Sequence, residues 1–236
     1  MLRALLLGVA LLAGLGCSES KDAQAQPYPA PASADAATSE KPKNGDPATI
    51  TRNVLVMGDS LSAAYNLSAE QGWVALLDAK MKTDAPSFRM VNASISGETT
   101  AGGRARIEAA LVQHRPALVV IELGANDGLR GLPLEESRRN LEGMVQAAKQ
   151  SGAEVMLVGM RLPPNYGPDY TEGFFSMFAE IAVAENSAYL PFLLEPIAAD
   201  DSAFQTDRLH PTAEAQPLLA THVWAELAPV LTRLAP

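Results

Sequence analysis

The sequence predicts an α/β sandwich of three layers, built on a central parallel sheet of about five strands. Three observations predict it. Short apolar runs alternate with longer stretches of helical periodicity from residue 53 to residue 231. The two central runs, 117–123 and 154–160, are apolar at nearly every position, as strands covered on both faces must be, and such strands belong to parallel sheets. Between them, Leu134, Leu141, Met144, Val145 and Ala148 fall on one stripe of a helix, which gives that helix a face to lay on a sheet. Strict alternation of the two element types places helices on both sides of the strands.

The elements follow in order. Residues 53–57 (NVLVM) are β-branched and aliphatic and are closed by Gly58, a first strand. A helix over 72–82 leads to a second strand, 88–92, and a helix over 100–114 leads to the third strand, 117–123. The striped helix at 134–150 precedes the fourth strand, 154–160. A helix over 172–185, a weaker fifth strand at 188–192 and a last helix over roughly 212–231 complete the pattern. In sheets of this kind, ligands sit just beyond the carboxyl ends of the strands. Those ends are therefore where chemistry is to be sought.

What precedes the alternation reads differently. Arg3 is followed by the uncharged run 4–16, whose 13 residues fall short of the ~20 a spanning helix needs. A positive start followed by a short apolar run is the pattern of a secretory signal. Two cleavage readings stand side by side. Gly14, Leu15, Gly16 and Cys17 resemble a bacterial lipobox, with Cys17 as the lipidated residue and Gly14 where Leu is usual. Ala23 and Ala25 offer a small-x-small alternative. Either places the protein outside the cytoplasm: periplasmic, and anchored to the membrane in the first case. Residues 18–48 are rich in Ala, Pro and Ser, with Tyr28 the sole large apolar side chain, so they read as a tether too poor in apolar surface to fold. The domain is expected over 49–236.

Charge narrows the function. The chain of 236 residues carries a net charge of −9, and its pI is near 4.8. The expected domain holds 14 basic against 22 acidic residues, a balance of −8. An acidic domain is a poor partner for nucleic acid, whose phosphates need a basic face. One cysteine excludes a disulfide framework and a thiolate zinc site, and the three histidines, His114, His210 and His222, leave little from which to build a metal centre. No metal and no cofactor are expected.

Polar residues collect at the strand ends. After the first strand comes Gly58-Asp59-Ser60-Leu61, which puts the Ser60 hydroxyl at a strand-to-helix turn; on position alone such a serine caps a helix. The second strand leads to Gly97, whose N–H no side chain would shield. The third leads to Gly124-Ala125-Asn126-Asp127, with Asn126 as an amide donor that does not titrate. Further on, Asp207 and His210 stand three apart before Pro211. That spacing lets the carboxylate reach Nδ1 and leaves Nε2 free as a base. His114 and His222 fall inside helical patterns and are read as structural.

Taken together, these blocks resemble the SGNH (GDSL) hydrolase family. The stretches GDSLSAAYNLS, VNASISGET, ELGANDGLRG, RLPPNYG and LHPTAEAQP are similar to its thioesterase, lysophospholipase and arylesterase branch, over residues 53–231. The resemblance implies a flavodoxin-like sandwich and a hydrolase of carboxylic esters and acyl-thioesters, with lysophospholipid among the candidate substrates. It carries the nucleophile onto Ser60, the base onto His210 and the orienting carboxylate onto Asp207. The oxyanion hole falls on the N–H groups of Ser60 and Gly97 and the amide of Asn126. Asp59 and Asp127 are expected to shape loops, and Glu122 to brace the motif. Of the 13 aromatic residues, eight lie between Pro163 and Phe204; the 161–167 loop is expected to border an apolar cleft, while Phe174 to Phe178 belong to the core. A non-catalytic binding protein would not need Asp207-x-x-His210. An esterase removing acetyl groups from polysaccharide is the competing enzyme reading.

Overall fold

The structure, a computed structural model, describes residues 51–236. The signal at 1–17, Cys17, the alternative cleavage site at Ala23 and Ala25, and the tether at 18–48 lie outside the described residues. Five strands form one sheet: β1 (Arg52–Gly58), β2 (Phe88–Asn92), β3 (Leu118–Glu122), β4 (Glu154–Val158) and β5 (Ala188–Leu190). All pairings are parallel, in the order β2-β1-β3-β4-β5. Every residue of β3 is buried, as its unbroken apolar run requires. The order reverses between β1 and β3, the point where an open sheet leaves a crevice beyond its strand ends.

Among the described residues there are six α-helices: α1 (Trp73–Asp84), α2 (Thr100–His114), α3 (Ala125–Leu129), α4 (Leu134–Gln150), α5 (Pro168–Ala184) and α6 (Gln216–Leu234). Helices α1 and α6 pack together, and α2, α4 and α5 pack in a row, so the three layers are those expected. The buried face of α4 consists of Ser137, Leu141, Met144, Val145 and Ala148, nearly the predicted stripe.

Several expected boundaries shift. The fifth strand ends at Leu190 because Pro191, which has no N–H to donate, follows it. Helix α5 starts at Pro168, four residues before the expected start, with the proline at its first turn, where a missing N–H costs nothing. The last helix starts at Gln216 rather than near Thr212, since Pro211 is held in an antiparallel bridge to Phe204. The buried Gln216 accepts a hydrogen bond from the Trp73 N–H at 2.9 Å, tying the start of α6 to the start of α1. Ser60 is followed by consecutive turns and a short 3-10 turn, Ala69–Gln71, rather than directly by a helix.

Candidate active site

Strand β1 ends at Gly58, where a methyl group would stand 2.6 Å from Ser62 Oγ and 2.9 Å from Glu122 Oε2. Only glycine lets the chain pass this close to the buried Glu122. The chain then turns, with the Ala63 N–H donating to the Asp59 carbonyl and the Tyr65 N–H to that of Ser60. This turn presents Ser60 at the mouth of a cleft of about 460 Å3. Gly97 adopts φ +80°, with nothing within 4 Å of where a side chain would begin. Among the described residues, no hydrogen bond uses the N–H of Ser60 or that of Gly97. Both donors are available to a ligand.

His210 arrives on a loop closed by the Phe204–Pro211 bridge and by the Gln205 N–H donating to the His210 carbonyl at 2.8 Å. Its Nε2 lies 2.8 Å from Ser60 Oγ, and its Nδ1 lies 2.8 Å from Asp207 Oδ2. Asp207 Oδ1 also accepts the N–H groups of Leu209 and His210. Partial burial pushes the Asp207 carboxyl up, but these donors and the His210 ring outweigh it and hold the group at about 2. The ring of Tyr65 packs on His210 with centroids 4.3 Å apart. A hydroxyl, an imidazole and a carboxylate in that sequence can transfer a proton away from an attacking oxygen.

Asn126 stands in the first turn of α3 and spends both amide protons. Its Nδ2 donates to Asp59 Oδ2 at 2.9 Å and to the Glu98 carbonyl at 3.0 Å. Asp59 is 1% exposed. Burial pushes its carboxyl up to about 6, against the N–H of Leu61, the charge of His210 and the amide of Asn126, which pull it down. The fully buried Glu122 is raised well above the usual carboxylate range by burial and by the neighbouring Asp59, even though it accepts Ser62 Oγ at 2.6 Å. Asp127 accepts the Thr100 N–H and hydroxyl and the Ser137 hydroxyl, joining α2, α3 and α4 behind the site. The structure thus brings Ser60, Gly97, Asn126, Asp207 and His210 together. His222 lies elsewhere, with Nε2 3.0 Å from the Phe192 carbonyl.

The cleft wall differs in part from expectation. Arg161, Leu162 and Pro163 of the 161–167 loop line it. Of the eight clustered aromatics only Phe204 does; Phe174 and Phe178 are buried in the core. Tyr166 and Tyr170 instead donate to the carbonyls of Leu129 and Leu132, pinning the end of α3 and the residues after it. The apolar wall is mainly aliphatic: Leu61, Leu129, Met160, Leu162 and Leu194. Sequence reasoning missed Tyr65, the link from Asp59 to Asn126, and Arg130, whose guanidinium donates to the Gly97 carbonyl at 3.1 Å.

Known proteins share this arrangement of sequence and fold. The family described as GDSL-like Lipase/Acylhydrolase matches residues 56–217. Esterase TesA of Pseudomonas aeruginosa is 48% identical over 180 residues, 76% of this chain and 90% of the relative. Thioesterase 1/protease 1/lysophospholipase L1 of Escherichia coli is 39% identical over 184 residues, 78% of this chain and 87% of the relative. The crystal structure of the psychrotrophic esterase EstA from Pseudoalteromonas sp. superposes with a TM-score of 0.74 at 40% identity, covering 77% of this chain and 99% of that one. With the five-stranded parallel sheet and a family match spanning β1 to the start of α6, the chain belongs to the GDSL-like lipase/acylhydrolase family and is an ester hydrolase.

Proposed function

We propose that the protein hydrolyses carboxylic esters and acyl-thioesters through an acyl-enzyme on Ser60. The observation that carries this reading is the pair of 2.8 Å contacts linking Asp207 to His210 and His210 to Ser60. Ser60 Oγ attacks the acyl carbonyl while His210 Nε2 takes its proton, and Asp207 holds the ring with Nε2 facing the serine. The bond to the leaving alcohol or thiol then breaks, and the departing oxygen or sulfur collects that proton from His210. Water, activated by the same imidazole, attacks the acyl-enzyme, releases the acid and restores Ser60.

The oxyanion is received by the N–H groups of Ser60 and Gly97 and by Asn126, whose amide exchanges the Glu98 carbonyl for the developing charge. One such donor is typically worth about 3 kcal/mol in the transition state. The aliphatic cleft supports acyl and aryl substrates, and the names of the relatives support both the ester and the thioester class. The test is steady-state kinetics on an aryl ester and an acyl-thioester. Ser60→Ala is expected to abolish turnover of both, and Asn126→Ala to lower kcat roughly 10²- to 10³-fold with little change in KM. Full activity of the folded Ser60→Ala protein on either substrate rejects the reading.

The leader supports export of the domain at 49–236. The charged start, apolar run and polar tether fit a periplasmic enzyme, held at the membrane if Cys17 is lipidated or released if cleavage follows Ala25.

A further inference from the structure

We infer that Gln205 is a positioning residue for the acyl-enzyme cycle. Its side-chain amide holds the loop of His210 against the turn that carries Ser60, and the hold matters most once Ser60 is acylated; the inference rests on the hydrolase reading above.

Every polar group of Gln205 is engaged. Its N–H donates to the His210 carbonyl at 2.8 Å, and its carbonyl accepts the Arg208 N–H at 2.9 Å, which folds the loop back on itself. Its Nε2 donates to the carbonyls of Tyr65 and Pro211, at 3.0 Å each. Its Oε1 accepts from Asn66 Nδ2 at 3.4 Å. Carbonyls can only accept, so these two fix which end of the amide faces them. One planar group thus joins the turn after β1 to the loop before α6.

Little else joins them. Among the described residues, three hydrogen bonds run between 59–66 and 204–211: the two made by the Gln205 side chain, and His210 to Ser60 Oγ. The Phe204–Pro211 bridge closes the stem of the loop but reaches no residue of the turn. Residues 206–209 are all exposed, so burial does little to hold them. The Tyr65 ring packs on His210 with centroids 4.3 Å apart, on backbone that Gln205 itself holds. That backbone is strained on both sides of the join. Ala64 (φ +56°), Asn66 (φ +58°) and Arg208 (φ +58°) lie in the left-handed region, which persists in such residues where surrounding contacts enforce it.

The reaction removes one of the three bonds. In acylation Ser60 Oγ gives its proton to His210 and bonds to the acyl carbon, and that proton leaves on the alcohol or thiol. The acylated oxygen has no hydrogen left to donate to His210. The imidazole must nevertheless take a proton from water while that water attacks the acyl carbon. At this stage the bonds through Gln205 remain to keep His210 over the site. Deacylation is therefore the step that a loose loop slows, and a misplacement of about 1 Å can lower a rate roughly 10²-fold.

Gln205→Met keeps the bulk and removes the donors, whereas Gln205→Ala removes both. Steady-state kinetics with p-nitrophenyl butyrate, an activated ester, are paired with intact-mass measurement of acylated enzyme in quenched turnover. In this scheme kcat/KM reports acylation, and the acylated fraction reports the balance of the two steps. Both variants are expected to lower kcat roughly tenfold, to change kcat/KM less than about threefold and to raise the acylated fraction above that of the wild type. KM then falls along with kcat. Partial unfolding cannot produce this pattern, because it lowers kcat and kcat/KM in equal proportion. Equal loss of the two, or no change in either, without a rise in the acylated fraction overturns the inference. A wild type that is never acylated on Ser60 overturns the hydrolase reading instead, so the two failures are distinct.

Discussion

Asp59 is the residue whose environment departs furthest from its role as a loop former. Its carboxyl accepts the Leu61 N–H and the Asn126 amide while being almost wholly buried beside Glu122. It therefore both holds the proposed oxyanion donor and carries a charge that burial disfavours. The group titrates near 6 when folded, against 3.8 for the free side chain. Between these values the unfolded chain has already lost its proton and the folded one has not, so stability falls as pH rises through the window. Asp59→Asn removes that slope. Relative to the wild type, the variant should gain up to about 3 kcal/mol between pH 4 and pH 7, read from urea midpoints at each pH. Parallel stability curves for the two proteins would show that Asp59 is not held above its ordinary range. Tyr65, against the His210 ring, illustrates what a linear reading cannot reach: the two residues meet only after β1 and the 204–211 loop are folded together, and nothing local in either segment announces the contact.

Strand and helix identities were legible because burial imposes periodicity. Strand β2, helix α2 and helix α4 have the bounds read from the sequence. Elements fixed by distant contacts were not legible. Helix α3 is a five-residue turn of Asn, Asp and Gly flanked by Ala and Leu, residues that favour turns; the Thr100 and Ser137 bonds to Asp127 hold it in place. The late start of α6 likewise depends on Trp73 and Phe204, far away in sequence. The order of the site residues along the chain was readable; their supports, which run between elements, were not. The tightest of these junctions is that of β1 with β3. Gly58→Ala would push a methyl group against Ser62 and Glu122, two short or hydrogen-bonded groups with little room to yield. It should cost about 1–3 kcal/mol, measured as a lower thermal midpoint. An unchanged midpoint would mean the strand end is looser than its contacts imply.

The sheet gathers residues from across the chain at one edge: Ser60 after β1, Gly97 after β2, Asn126 after β3, Arg161 after β4 and His210 beyond β5. The parallel topology explains this, because every strand then ends on the same side. The acidic domain and its proposed export fit an enzyme meeting substrates outside the cytoplasm. Cys17→Ser should release a lipidated protein from the membrane fraction on cell fractionation; a wild type that is already soluble and begins at Gln26 favours cleavage after Ala25. Covalent attack by Ser60 leaves a stable adduct when the substrate is replaced by a phosphonylating reagent. The protein is treated with a fluorophosphonate and the adduct located by peptide mass spectrometry. A single adduct on Ser60 is expected, formed at the rate at which activity is lost and greatly slowed in His210→Ala. Inactivation with the adduct on any other residue, or full inactivation without modification of Ser60, would contradict covalent attack by Ser60.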